Sequence, residues 1–121
     1  MDNLSITKVF TFDYAHQLPG YDGACANLHG HTGKLEVEIV ESPKIKSTYE
    51  GMVMDFALLK VIVGEKVLRH LDHQFINDLL PIPTAENTVR WIVKQLEEEL
   101  GESIQRVRLY ETPDSYAEWK R

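Results

Sequence analysis

The sequence has one cysteine, no long hydrophobic run and no excess of basic residues, and each of these features excludes a class of protein. A single cysteine cannot form an internal disulfide, which is typical of chains kept in a reducing compartment. No segment approaches the roughly 18 apolar residues of a membrane span, and the first residues lack the basic start of a signal peptide. A net charge of −6 disfavours a general nucleic-acid or membrane-surface binder. We therefore expect a cytoplasmic protein whose partner is a small molecule.

No repeat, low-complexity segment or linker divides the 121 residues. The composition, with 43% hydrophobic and 26% charged residues, is that of an ordinary globular chain. A chain of this length can bury a core within one domain. We therefore predict a single domain that spans residues 1–121.

Hydrophobic periodicity predicts the secondary structure. Apolar and polar residues alternate in four segments, which we predict to be strands: 4–14, 34–41, 104–110 and 116–119. Between the second and third strands, apolar residues recur at the helical period after Asp55 and again after Thr84, and both are good N-cap residues. The apolar positions of the first helix are Phe56, Leu59, Ile62, Val63 and Val67, and Gly101 is expected to end the second helix.

The order of these elements, ββααββ, favours an α+β fold. It predicts one four-stranded antiparallel sheet with both helices packed on a single face. The segment 72–80 between the helices is predicted to be irregular and is closed by Pro81 and Pro83. Such a sheet leaves one face and two edges uncovered, so oligomerisation through the sheet is a hypothesis.

Three histidines fall where the first two strands meet. His29 and His31 are two residues apart, so their imidazoles lie on one face if the segment is extended. His16 ends the first apolar run, and a hairpin would bring it beside them. Three neutral imidazole nitrogens with a fourth position left open form a typical catalytic zinc site. The alternative interpretation is three separate hydrogen-bonding histidines.

Cys25 lies four residues before His29 and has three interpretations. It could act as nucleophile or base beside an open metal site, because a nearby cation favours the thiolate. It could instead be the fourth ligand of a closed structural zinc site, which would leave no position for a substrate. It could also be an inert buried thiol. The residues alone leave these interpretations open.

Further polar residues are candidates for the same site. The Asp72 carboxylate could hold the adjacent His73 imidazole in one tautomer for proton exchange, although a helix end followed by a surface histidine is the alternative. Glu111 ends the third strand, and its two oxygens match an amino-pyrimidinone edge that carries two N–H donors. A strand-end carboxylate is, however, usually solvated. Thr84 and Glu86 have a sufficient structural explanation as helix cap and first-turn acid.

Six short motifs span nearly the whole chain. Three contain the residues discussed above: Cys25-x-x-x-His29-Gly30-His31, Leu71-Asp72-His73 and Tyr110-Glu111-Thr112. The other three are Phe12-Asp13-Tyr14-Ala15-His16, Gly51-Met52-Val53-Met54-Asp55-Phe56-x-x-Leu59-Lys60 and Pro83-Thr84-Ala85-Glu86-Asn87. In this order and together, the motifs make the chain resemble the 6-pyruvoyl-tetrahydropterin synthase family.

The resemblance implies a fold, a metal and a role for each candidate residue. The implied fold is the tunnelling fold (T-fold), in which trimers pair their sheets into a barrel and usually stack into hexamers, with active sites between subunits. The implied cofactor is a zinc ion bound by His16, His29 and His31. The resemblance assigns proton transfer to Cys25, Asp72 and His73, and pterin anchoring to Glu111. It places Thr84 and Glu86 in the lining of the same pocket.

The resemblance also implies a reaction. The usual substrate of the family is 7,8-dihydroneopterin triphosphate, from which triphosphate is eliminated. Cys25, together with Leu28 before His29, favours the branch that then cleaves the side chain to give 6-carboxy-5,6,7,8-tetrahydropterin and acetaldehyde, on the route to queuosine and other deazapurines. The alternative branch yields 6-pyruvoyl-tetrahydropterin.

Overall fold

A long antiparallel hairpin forms the centre of the fold. The computed structural model describes residues 3–45, 47 and 49–121. Strand β1 (Ser5–His16) pairs with β2 (His29–Val40) along its whole length, from Ser5 opposite Val40 to His16 opposite His29. On one face of β1, Phe10, Phe12, Tyr14 and His16 are buried, as the period of two predicts. The hairpin therefore brings the end of β1 and the start of β2 together at one end of the sheet.

Three shorter strands complete the sheet. Strand β4 (Ile104–Thr112) pairs antiparallel with β2, and β5 (Ser115–Lys120) pairs antiparallel with β4. Strand β3 (Gln74–Phe75) pairs parallel with β1 on the other side, so the strand order is β3-β1-β2-β4-β5. The predicted four-stranded antiparallel sheet is therefore wrong, because the sheet has five strands and is mixed.

The segment 72–80, which we predicted to be irregular, supplies the extra strand. Two residues are too few to show any alternation of polarity, so no sequence pattern marks β3. Its position is fixed by contacts distant in sequence: His73 N donates to Asp13 O at 2.7 Å, and Asp13 N donates to Asp72 Oδ1 at 3.1 Å. A 3₁₀ turn, Ile76–Asp78, follows the strand directly.

The helices begin and end close to the predicted residues. Helix α1 (Phe56–Val63) continues through a π-helical stretch (Gly64–Leu68) into a last turn, α2 (Arg69–Leu71). The Asp55 carboxylate caps α1 by accepting from Ala57 N at 2.8 Å. Of the apolar positions, Leu59, Val63 and Val67 are buried, whereas Phe56 is 52% exposed. Phe56 is the first residue of the helix, and periodicity cannot tell how far the core extends toward a helix end.

Helix α3 (Ala85–Leu100) confirms the second helical prediction. Thr84 Oγ1 accepts from Asn87 N at 3.1 Å, and Gly101 ends the helix with a φ of 51°, a conformation that favours glycine. Its inward stripe is buried as the period predicts: Val89, Ile92, Val93, Leu96 and Leu100.

The sheet has one apolar face and one charged face. The apolar face packs against the helices, and its buried residues form one core with those of α1 and α3. On the other face, Arg108 Nη2 lies 2.7 Å from Glu118 Oε1, and Arg106 Nη1 lies 3.0 Å from Glu36 Oε1. Within the described residues, no helix combines the length and hydropathy that a membrane span requires.

Candidate metal centre

Three histidines converge at the end of the β1–β2 hairpin. His16 and His29 are direct register partners, and His31 lies two residues further along β2 on the same, helix-covered face of the sheet. One ligand nitrogen from each histidine lies within 4.8 Å of the other two. The predicted convergence is confirmed, and the group could hold a metal ion.

Backbone carbonyls orient two of these rings. His16 Nδ1 donates to Pro83 O at 2.9 Å, and His29 Nδ1 donates to Asn27 O at 2.7 Å. With the proton on Nδ1, the lone pair of each Nε2 points into the group. His31 Nε2 lies 3.1 Å from His16 Nε2. Metal-ligating histidines almost always donate their second N–H to such an acceptor, which fixes the tautomer.

An unpaired nitrogen atom gives the strongest evidence that the three histidines fit a metal ion. His29 Nε2 is buried and has no hydrogen-bond partner among the described residues. Leaving a buried acceptor unpaired typically costs about 1–3 kcal/mol, so such an atom requires an explanation. A metal ion bound between the three imidazoles would satisfy it. The three histidines therefore fit a metal-binding site.

The electrostatics of the group also favour metal binding. Burial lowers the pKa of both His16 and His31, which keeps the two imidazoles neutral near pH 7. The nearby Glu111 carboxylate opposes this by raising both pKa values, but the effect of burial is larger. Neutral imidazole is the form that binds a metal.

We expect metal affinity to depend on pH with a defined sign. Because their pKa values lie below the ordinary value of about 6.5, His16 and His31 remain neutral as the pH falls through that value. Protonation of these two ligands should therefore weaken metal binding only below about pH 6.5, where protons begin to displace the metal. Metal titrations from pH 8 to pH 5 would measure this. A decline that begins well above pH 7 would contradict it.

Tyr14 is a residue of this site that sequence reasoning missed. Its ring centroid lies 5.3 Å from that of His16 and 5.5 Å from that of His31. Burial raises its pKa, and the charge of Glu111 adds to the effect, so the phenol stays protonated. A Cβ on Gly33, the register partner of Phe12, would lie 3.0 Å from the Tyr14 ring, so a side chain there would require the ring to shift by a few tenths of an ångström. The sequence did contain a signal for it: Tyr14 is two residues before His16 in a predicted strand, so the two side chains are expected on the same face.

Glu111 lies beside the histidines. Its Oε1 is 3.4 Å from His16 Nε2 and 3.7 Å from His31 Nε2, and its side chain is partly exposed. Residue 111 follows Val107 and Leu109 at a spacing of two, so it shares the helix-covered face of β4. The carboxylate thus borders both the metal group and solvent, although its predicted role as pterin anchor stays a prediction.

Cys25 lies in the loop that connects β1 and β2 and is not one of the grouped ligands. It sits half-buried in a 3₁₀ turn, Ala24–Ala26, and its carbonyl accepts from Leu18 N at 2.8 Å. Within the part of the chain that the structure describes, the ligand group consists of three histidines without the sulfur. This arrangement favours an open metal site over a closed one.

Asp72 and His73 contact each other as the sequence predicts. His73 Nδ1 lies 3.0 Å from Asp72 Oδ1, which can hold one tautomer of the imidazole. His73 has a φ of 59° and its side chain is 77% exposed. Among the described residues, no hydrogen bond or ion pair joins this pair to the three histidines. The proton-transfer roles of Cys25, Asp72 and His73 therefore stay predictions.

Thr84 and Glu86 occupy the first turn of α3. Thr84 acts as the helix cap, and it follows Pro83, the residue whose carbonyl orients His16. Glu86 is exposed to solvent. Their predicted contact with a substrate stays a prediction.

Comparison with known proteins identifies relatives along almost the whole chain. The family model described as 6-pyruvoyl tetrahydropterin synthase matches residues 5–121. A 6-carboxy-5,6,7,8-tetrahydropterin synthase from Haemophilus influenzae is 39% identical, and the match covers 95% of this chain and 97% of that protein. The Synechocystis protein of the same name is 42% identical, over 94% of this chain and 91% of that protein.

A solved structure has the same fold. The 6-pyruvoyl tetrahydropterin synthase of Caenorhabditis elegans superposes with a TM-score of 0.81, and the match covers 98% of this chain and 95% of that one. At 24% identity, this likeness supports the fold alone. The family model and the two relatives carry the assignment, and the chain belongs to the 6-pyruvoyl tetrahydropterin synthase family.

Proposed function

We propose that this protein is a zinc-dependent 6-carboxy-5,6,7,8-tetrahydropterin synthase. It would convert 7,8-dihydroneopterin triphosphate and one water to 6-carboxy-tetrahydropterin, acetaldehyde and triphosphate, in the biosynthesis of queuosine and related deazapurines. The observation that carries the proposal is the group of three histidines, whose ligand nitrogens lie within 4.8 Å of one another without the Cys25 sulfur among them, in a chain 39–42% identical to two proteins of that name. An open ligand position is what a catalytic zinc site needs.

The three histidines would hold the metal through their neutral nitrogens. His16 and His29 are oriented for this by their Nδ1 hydrogen bonds to Pro83 and Asn27. When bound, zinc would supply Lewis-acid chemistry at the hydroxyl oxygens of the substrate side chain. Tyr14 packs against two of the rings and restricts their movement.

The chain supplies its own groups for proton transfer. The Cys25 thiolate would remove a proton from the carbon next to the pterin ring, acting as a general base. His73 would carry protons to and from the substrate oxygens, and the Asp72 carboxylate 3.0 Å away would fix its tautomer. The exposure of His73 leaves its Nε2 side open to a substrate.

Glu111 would orient the pterin. A carboxylate accepts two parallel N–H groups, and the amino-pyrimidinone edge of a pterin presents such a pair. Glu111 borders the histidine group, so a pterin bound to it would place its side chain near the metal position. Thr84 and Glu86, at the start of α3, would line the same pocket.

The active protein would be a homo-oligomer, a trimer or a dimer of trimers, with active sites between subunits. Two features support this proposal. The His73 side chain is 77% exposed and is not joined to the histidines within the described chain. The outer edge of β5 has no neighbouring strand in the described sheet, and a free edge can pair with another copy. Light scattering would measure the molar mass.

The single cysteine favours action in the reducing cytoplasm.

The product of the reaction tests the proposed function. We expect the zinc-loaded protein to release acetaldehyde from 7,8-dihydroneopterin triphosphate in a one-to-one ratio with triphosphate. Acetaldehyde can be followed by coupled oxidation of a nicotinamide cofactor, and the pterin product by its absorption and mass. The matched control is the Glu111→Gln variant, which retains one acceptor oxygen but loses the charge. We expect it to raise KM much more than it lowers kcat.

Two other outcomes would overturn the assignment. A 6-pyruvoyl product without acetaldehyde would place the protein in the alternative branch of the family. A complete lack of turnover in zinc-loaded, folded protein would instead favour a non-catalytic zinc module.

A further inference from the structure

The loop that carries Cys25 is fastened at its base by one side chain. Asn77, in the 3₁₀ turn after β3, makes two hydrogen bonds to the backbone of Gln17, the residue that follows His16. Gln17 N donates to Asn77 Oδ1 at 3.0 Å, and Asn77 Nδ2 donates to Gln17 O at 2.9 Å. Asn77 therefore satisfies both backbone groups of the first loop residue.

The position of Asn77 follows from strand register. Strands β1 and β3 pair at Tyr14 with Gln74 and at Ala15 with Phe75. Two residues further along each strand, Gln17 would face Asn77. The backbone has by then turned into the 3₁₀ turn and cannot pair, so the side-chain amide, which carries one acceptor and two donors, takes its place.

Two further hydrogen bonds connect this clamp to the site. Leu18 N donates to Cys25 O at 2.8 Å, which closes the loop one residue after Gln17. The ring of His16 donates to Pro83 O, six residues after Asn77 in the same segment. The segment that begins with Asp72 and His73 thus fixes His16 from its backbone side and its ring side, and reaches Cys25 through Leu18.

We propose that Asn77 is a positioning residue that sets the geometry of His16 and of the Cys25 loop relative to the Asp72–His73 pair. The inference deepens the proposed function, and its kinetic readout rests on that function. Metal binding and thiol reactivity test it without a substrate. A purely structural role would predict a loss of stability and no change in either property.

The test compares three variants with the wild-type protein. We expect Asn77→Ala to weaken zinc binding on the order of 10-fold, the low end of the effect of losing a direct outer partner of a metal ligand, because Asn77 holds the backbone of Gln17 next to His16 and not His16 itself. In metal-free protein, we expect iodoacetamide to alkylate Cys25 several-fold faster, because the base of the loop is released. Cys25 is the single cysteine, so alkylation reports on this loop alone. With substrate, kcat should fall while KM changes little.

Asn77→Asp keeps the acceptor for Gln17 N and loses the donor to Gln17 O, so we expect an intermediate effect. If Asn77→Ala does not fold, Asn77→Asp provides the zinc-affinity and alkylation measurements in its place. The control for stability is Ser42→Ala, which removes a buried 2.6 Å hydrogen bond with Ser103 next to the far end of β2. This control should lower the unfolding temperature but leave zinc affinity and the alkylation rate unchanged.

Two results would overturn the proposal. One is wild-type zinc affinity and alkylation rate in both Asn77 variants. The other is an equal change in Ser42→Ala, which would trace the effect to stability. If the wild-type protein lacks turnover but Asn77→Ala changes zinc affinity and alkylation as expected, the proposed function fails and the positioning role stands.

Discussion

Replacing Cys25 with alanine is expected to lower kcat/KM by at least about 100-fold, because a general base contributes about 10²–10⁴-fold to rate. Zinc should remain bound with nearly wild-type affinity, since the three histidines form the ligand group without the sulfur. The unfolding temperature should also change little, because the thiol is only half-buried. Metal content by atomic emission, steady-state kinetics and thermal unfolding measure the three quantities on one preparation.

A joint loss of zinc and of stability in Cys25→Ala would contradict this prediction and support the closed structural site. Cys25→Ser is the matched control, because it keeps the shape of the side chain but replaces the thiol with a far weaker acid. It should be nearly as inactive as the alanine variant.

Mixing two inactive variants tests whether the active sites lie between subunits. Cys25→Ala and His73→Ala proteins, each inactive alone, should regain part of the activity after they are unfolded, mixed and refolded together. A mixed oligomer contains some sites with both groups intact. No recovery in mixtures of confirmed oligomers would place both groups in one subunit.

Replacing His29 with alanine is expected to weaken zinc binding by at least about 100-fold, because losing a ligand costs more than the 10–100-fold of an outer partner. The effect on the metal-free protein should be small, since His29 Nε2 is buried without a partner and its removal deletes an unsatisfied group. Wild-type protein should therefore gain a large increase in unfolding temperature on adding zinc, and the variant should gain almost none.

His70→Ala is the matched control for this variant. His70 is exposed and packs edge-on against Trp91, with ring centroids 5.9 Å apart. It should keep both the zinc affinity and the zinc-dependent rise in unfolding temperature. If His29→Ala kept them too, the tri-histidine centre would be wrong. If His29→Ala instead unfolded without zinc present, His29 would have a structural role that its free nitrogen does not suggest.

Much of the fold could be predicted because its signals are local. The alternation along β1 and β2 predicted a hairpin, and the two caps with the Gly101 stop predicted the helices. The spacing of His29 and His31 predicted that both rings share a face, as they do. Each of these predictions depends on one strand or one helix, in which side-chain direction repeats every two residues (strand) or every 3.6 residues (helix).

Other features could not be predicted, because they depend on residues distant in sequence. Strand β3 is two residues long and exists through its pairing with β1. The clamp between Asn77 and Gln17 joins residues 60 positions apart, and neither residue type marks it. Phe56 followed the helical period but lies at a helix end, where the period does not report burial.

The sequence by itself determined the four longer strands, the two helices, the three histidines and the family, since these depend on spacing and residue type along the chain. Only the tertiary structure decided which carbonyls orient the imidazoles, that Glu111 and Tyr14 border them, and that Asn77 holds the loop of Cys25. The physical reason is that hydrogen bonds and packing act between groups within a few ångströms, whatever their separation along the chain. Which groups come that close is fixed when the whole sheet and its helices assemble.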